Sequence, residues 1–94
     1  MTDRETIFVD CRANAGGWTC AVSVGGPGAP TTHEVTVAAR DLAHLVPAAA
    51  DPTDLVERSF AFLLEREPKT SILRRFDLPL IGHYFPEWER EIRG

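Results

Sequence analysis

Lysine is almost missing from this chain: nine of its ten basic residues are arginine, and Lys69 is the exception. With eleven alanines beside them, the arginines reflect a GC-rich coding bias, so their number is no argument for phosphate binding. An excess of positive charge is also lacking. Ten bases against fourteen acids leave a net charge of -4 over 94 residues, which repels a polyanion on average unless the bases gather on one face. The imbalance is uneven, with seven acids and three arginines in residues 1–55 and seven charges of each sign in 56–94. A nucleic-acid surface therefore belongs to the second half, if anywhere.

Long apolar runs are absent as well. The longest, Phe60–Leu64, falls far short of the roughly 20 residues that span a bilayer. The charged start, Met1–Thr6, leads into no apolar stretch of the kind a secretory signal needs. The expectation is a cytoplasmic protein with no membrane partner. Cysteine is scarce: Cys11 and Cys20 form no C-x-x-C pair, and with His33, His44 and His83 scattered they make no metal-ligand spacing. No metal site, cofactor or catalytic residue is assigned, and the reading is of a protein that is not an enzyme.

What is present is ordinary globular composition, 44% hydrophobic and 26% charged, at a length that fits one domain over 1–94. A chain of this size buries only about 60–65% of its unfolded surface, so each large side chain counts. Apolar residues recur with period two in the first forty positions, which predicts strands. Ile7, Val9 and Cys11 share one face of the first strand, and Trp18, Cys20, Val22 and Val24 lie together on one face of the second. Between them Asn14-Ala15-Gly16-Gly17 supplies residues that tolerate a tight hairpin turn. A two-residue loop at Ala15 and Gly16 sets Cys11 opposite Cys20, Val9 opposite Val22 and Ile7 opposite Val24. All three pairs are apolar, so turn and pattern agree on the register. The cysteines read as reduced, buried neighbours.

After the glycine- and proline-rich stretch Gly25–Pro30, Thr31–Ala38 alternates again, with His33, Val35 and Val37 inward. That loop joins two strands, unlike a phosphate loop, which ends at a helix N-terminus. A short helix with Asp41 as N-cap and Leu42 and Leu45 inward ends at Pro47. Asp51, Pro52 and Asp54 then mark the start of a main helix running to about Glu67. Its apolar residues, Leu55, Val56, Phe60, Phe62, Leu63 and Leu64, spread over roughly 200°, wider than a helix covered on one side requires. One side should face the sheet and the other the C-terminal segment. There, Ile72–Phe76, Leu78–Ile81 and Glu87–Arg93 read as short helical pieces. The predicted class is α+β, a three-stranded antiparallel meander followed by one long helix and short C-terminal helices, β-β-β-α-α-α.

Two features bear on function. Residues 70–85 have the layout of a helix-turn-helix, in which Arg74 and Arg75 would meet phosphates and His83 and Tyr84 the bases. The layout departs from that motif at Asp77 in the turn and at Pro86, which cuts the second helix short, and helices that simply cover the main helix are the competing reading. His83, Tyr84, Phe85 and Trp88 also place four rings within six residues, either an interface patch or a pin for the tail. The candidate interaction residues are thus Arg74, Arg75, His83, Tyr84 and Trp88. The expected partner is another protein or a second copy of the chain, with nucleic acid as the alternative. A homodimer through the outer edge of Thr31–Ala38 is the most specific form of that expectation.

Overall fold

The computed structural model describes residues 6–26 and 28–93. Strands β1 (Ile7–Asn14), β2 (Gly17–Val24) and β3 (Thr31–Ala38) form the antiparallel meander. The hairpin register is the predicted one, with Cys11, Val9 and Ile7 opposite Cys20, Val22 and Val24. Asn14 fixes the turn: its Oδ1 accepts from the Gly16 N–H at 3.0 Å and its Nδ2 donates to Thr19 Oγ1 at 2.9 Å. Gly17 is required by a close approach of backbones, since a Cβ there would strike Val37 O and lie 2.8 Å from Ala39 N.

Helix α1 (Ala39–Leu45) buries Leu42 and Leu45, and Asp41 lies inside its first turn instead of capping it. Helix α2 (Thr53–Leu64) follows, with Asp51 Oδ1 accepting from the Thr53 N–H at 2.9 Å. It stops three residues before Glu67, because Pro68 disfavours helical geometry in the residue before it and the chain turns through 65–67. Leu55, Val56, Phe60, Phe62 and Leu63 are all buried, so the helix is covered on two sides as the wide apolar arc implied. Phe60 meets His33 and Phe76 of the sheet, with ring centroids 5.3 and 6.1 Å away. Phe62 meets the edge of Phe85 at 5.9 Å, and Ser59 receives a hydrogen bond from Trp88.

The region after α2 departs from the expected helices. A 3-10 turn at Lys69–Ser71 leads into extended chain, and Arg75–Asp77 is a fourth strand, β4, parallel to β3. The sheet order is β1-β2-β3-β4. Ile72 and Phe76 sit at helical spacing, but Ile72, Phe76 and Leu78 also fall on one side of an extended chain, and all three are buried. The backbone of β3 decides between the two. Its outer N–H and C=O groups need partners, and they find them in Arg74 O, which accepts from the Glu34 N–H at 2.7 Å, and in the Leu78 N–H, which donates to Thr36 O at 2.9 Å. The first helix of a helix-turn-helix over 70–85 is therefore not formed. The β3 edge expected to pair two copies is occupied by the chain's own β4. Helices α3 (Leu80–Tyr84) and α4 (Trp88–Arg93) complete the fold.

Cys11 and Cys20 are joined in a disulfide, which corrects the expectation of reduced thiols. One rung beyond the ladder, the Gly25 N–H donates to Thr6 O, so even-numbered residues of β1 turn their backbone groups toward β2. Cys11 therefore faces Cys20 across a rung without backbone hydrogen bonds, the closer kind, with their Cα atoms 3.9 Å apart.

Two outcomes follow from this packing. Phe60 is inaccessible to solvent, and Phe60→Ala should lower the unfolding free energy in urea by about 3–5 kcal/mol. Protein purified without reductant should weigh two hydrogen atoms less than its reduced form, and reduction should lower stability by about 2–3 kcal/mol, as expected for a closed loop of this length.

Candidate functional site

The five residues singled out in the sequence fall in three places. Trp88 is 2% exposed and belongs to the core, its Nε1–H donating to the buried Ser59 Oγ at 3.1 Å. It pins α4 to α2 and is not an interaction residue. Arg74 and Arg75 lie on the open face of the sheet, where a shallow depression also presents Asp10, Arg12, Thr19 and Glu34. Arg75 pairs with Glu34 at 3.5 Å. The other bases of the second half do not join them. Arg66 is held by Glu65, Glu87 and Glu91 at 3.2–3.3 Å, and buried Lys69 donates to Gly25 O at 3.3 Å. His83 and Tyr84 end α3, both exposed, with rings edge to face 5.6 Å apart.

Tyr84 stands on the rim of a groove of about 260 Å³. Leu63 at the end of α2 and Glu67 in the turn beyond it form one wall, and Ile72, Leu73 and Phe76, leading into and within β4, form another. Helix α3 closes it with Leu80, Ile81 and Tyr84, and Phe85 follows. Leu73 is 49% exposed and Tyr84 63%, so two large side chains stand in solvent over buried Ile72, Phe76 and Ile81. Leu73 was not singled out by sequence. Simple alternation does not mark it: Ile72, Phe76 and Leu78 are buried, but Arg74, in phase with them, is exposed, because the chain bends at 72 and 74 before β4 begins.

Local electrostatics hold the walls in place. Arg66 sits 3.6 Å over the Phe62 ring and donates to Phe62 O at 3.0 Å while binding Glu87 just before α4 and Glu91 within it. Its contact lowers the Glu87 carboxyl, after the larger effect of the backbone hydrogen bond from Glu87 itself. His33 is fastened from both sides: its Nδ1 is 2.8 Å from Leu73 O, an acceptor only, so Nδ1–H donates there and Nε2 faces Thr31 Oγ1 at 2.9 Å. His44 donates from Nε2 to Glu89 at 3.0 Å and ties α1 to α4.

Among the described residues no three His, Cys, Asp or Glu side chains converge as metal ligands, and no helix is long and apolar enough to cross a membrane. Compared with family models, curated proteins and solved structures, the chain matches none.

The Glu89 carboxyl is held below the ordinary glutamate range, first by the His44 hydrogen bond and then by that of Arg93. A folded pKa below the unfolded one means that ionised Glu89 adds stability above the unfolded value, and that this contribution fades as pH falls through the folded value. In a carboxyl NMR titration, His44→Ala should raise the Glu89 pKa toward the usual range, with Arg93 keeping it partly lowered.

Proposed function

We propose that this chain is a protein-binding module and not an enzyme, and that the groove between α2, β4 and α3 takes an apolar side chain from a partner protein. The observation that supports it is the pairing of an apolar hollow with two exposed apolar rim residues, Leu73 and Tyr84. Large contiguous exposed apolar patches mark interaction sites, whereas scattered single residues need no explanation; here Leu73 and Tyr84 share the rim of one apolar hollow. The size of the hollow agrees. At about 260 Å³ it lies below the roughly 300–1,000 Å³ of sites for drug-sized ligands, and suits one or two side chains. Among the described residues Glu67 is the single charged one on its lining, so the favoured segment carries Lys or Arg beside a bulky apolar residue. The alternative reading, nucleic-acid binding by 70–85, has less support, because Arg66 and Lys69 do not join Arg74 and Arg75 in one positive face: Arg66 is held by glutamates, Lys69 is buried, and Arg75 itself pairs with Glu34. A cytoplasmic location is part of the proposal, although the Cys11–Cys20 disulfide favours an oxidising compartment; thiol trapping in intact cells checks it, and a bridge found oxidised there would overturn the cytoplasmic placement.

Display of random heptapeptides against the folded protein tests the groove. Enriched peptides should combine a bulky apolar residue with an adjacent Lys or Arg, lose binding to Leu73→Asp, and bind Glu67→Gln more weakly. Enrichment that persists on Leu73→Asp would place binding elsewhere and overturn the proposal.

A further inference from the structure

β1 is the outer strand of the sheet, eight residues long, and among the described residues nothing pairs with its free side. The opposite edge, β4, is only three residues long. Since even-numbered residues of β1 bond to β2, the N–H and C=O groups of Ile7, Val9, Cys11 and Ala13 point outward. The ladder to β2 runs through eight consecutive pairs with no bulge, and β1 holds no proline or lysine to blunt it. The core also runs out at this strand. Val24, Val22 and Cys20 are at most 1% exposed, yet their partners Ile7, Val9 and Cys11 are only half-buried. On the other face Phe8 is 66% exposed.

From these features we infer that β1 pairs antiparallel with β1 of a second copy, about a two-fold axis through Cys11, to make a continuous eight-stranded sheet. Charge selects that register. With the axis at Cys11, Asp10 of each copy stands opposite Arg12 of the other, and Val9 stands opposite Ala13. Sliding the pair by one rung in one direction sets Asp10 against Asp10, and in the other direction Arg12 against Arg12. Neither Asp10 nor Arg12 has an ion pair within the described residues, and their neighbours on β2, Ala21 and Thr19, are uncharged. The Asp10–Arg12 rungs are those without backbone hydrogen bonds, where opposed side chains come closest. The rungs at Val9, Cys11 and Ala13 add about six backbone hydrogen bonds. Ile7, Val9 and Cys11 gain cover along the same seam, as an isologous interface requires. The groove lies toward the β4 edge, so the dimer leaves it open in each copy, and the pairing stands independently of the groove's function.

Sedimentation equilibrium at tens of micromolar tests the inference. The wild type should be a dimer that weakens with added salt. Asp10→Arg and Arg12→Asp each replace two attractive rungs with two repulsive ones and should weaken it about tenfold or more. Both side chains are exposed, so circular dichroism should show either variant folded. The combined Asp10→Arg/Arg12→Asp chain restores opposite charges across the axis and should dimerise again. A monomeric wild type at that concentration, a dimer indifferent to the single reversals, or a double variant that stays monomeric would each overturn the inference.

Discussion

The parallel pairing of Arg75–Asp77 with β3 is the contact on which the C-terminal half depends. It is short, with Glu34, Val35 and Thr36 opposite Arg75, Phe76 and Asp77, yet it meets three demands together. It satisfies the outer backbone groups of β3, it brings Phe76 beside Phe60, and it carries Leu73 to the surface next to α3. His33 reinforces the attachment by donating to Leu73 O, forty residues away in sequence, while its ring lies against Phe60. A buried histidine with both nitrogens engaged avoids the penalty of an unsatisfied polar group in the core. The groove exists because this strand holds the chain at a fixed distance from the end of α2.

Around that attachment the C-terminal helices are fastened mostly by side chains that reach between elements. Trp88 binds Ser59, Arg58 donates to Ile92 O at 3.0 Å, Arg66 gathers Glu87 and Glu91, and His44 meets Glu89. Individually the exposed ion pairs contribute little. Arg66 is a different case, because its guanidinium is largely covered, lies on an aromatic ring and bonds a backbone oxygen as well as carboxylates. It spans the end of α2 and the start of α4, and so fixes two of the elements between which α3 must fit.

The two faces of the sheet divide the surface by chemistry. The inner face is apolar and roofed by helices, while the outer face presents Asp10, Arg12, Thr19, Thr32, Glu34, Arg75 and Asp77. Acids and bases alternate there closely enough that no single sign dominates, in keeping with the small net charge. Among the described residues the exposed large apolar side chains occur instead toward the two ends of the strand order, Phe8 on β1 and Leu73 before β4, with Tyr84 on the same groove as Leu73.

By itself the sequence determined the elements whose signals are local. The Asn14–Gly17 turn lies between two strands of period two, so one short stretch contains both the turn chemistry and the register it must match. The width of the apolar arc in α2 likewise announced two covered sides, because burial on a helix is read from spacing alone. Only the tertiary structure decided the fate of 72–78, since Ile72 and Phe76 fit a helix and an extended chain equally well. The choice was made by unpaired backbone groups of β3 some forty residues earlier. The same holds for Trp88 and Tyr84, aromatic neighbours that sequence could not separate. One found a hydroxyl at Ser59 inside the core and the other did not, and which ring is buried is set by what folds against it.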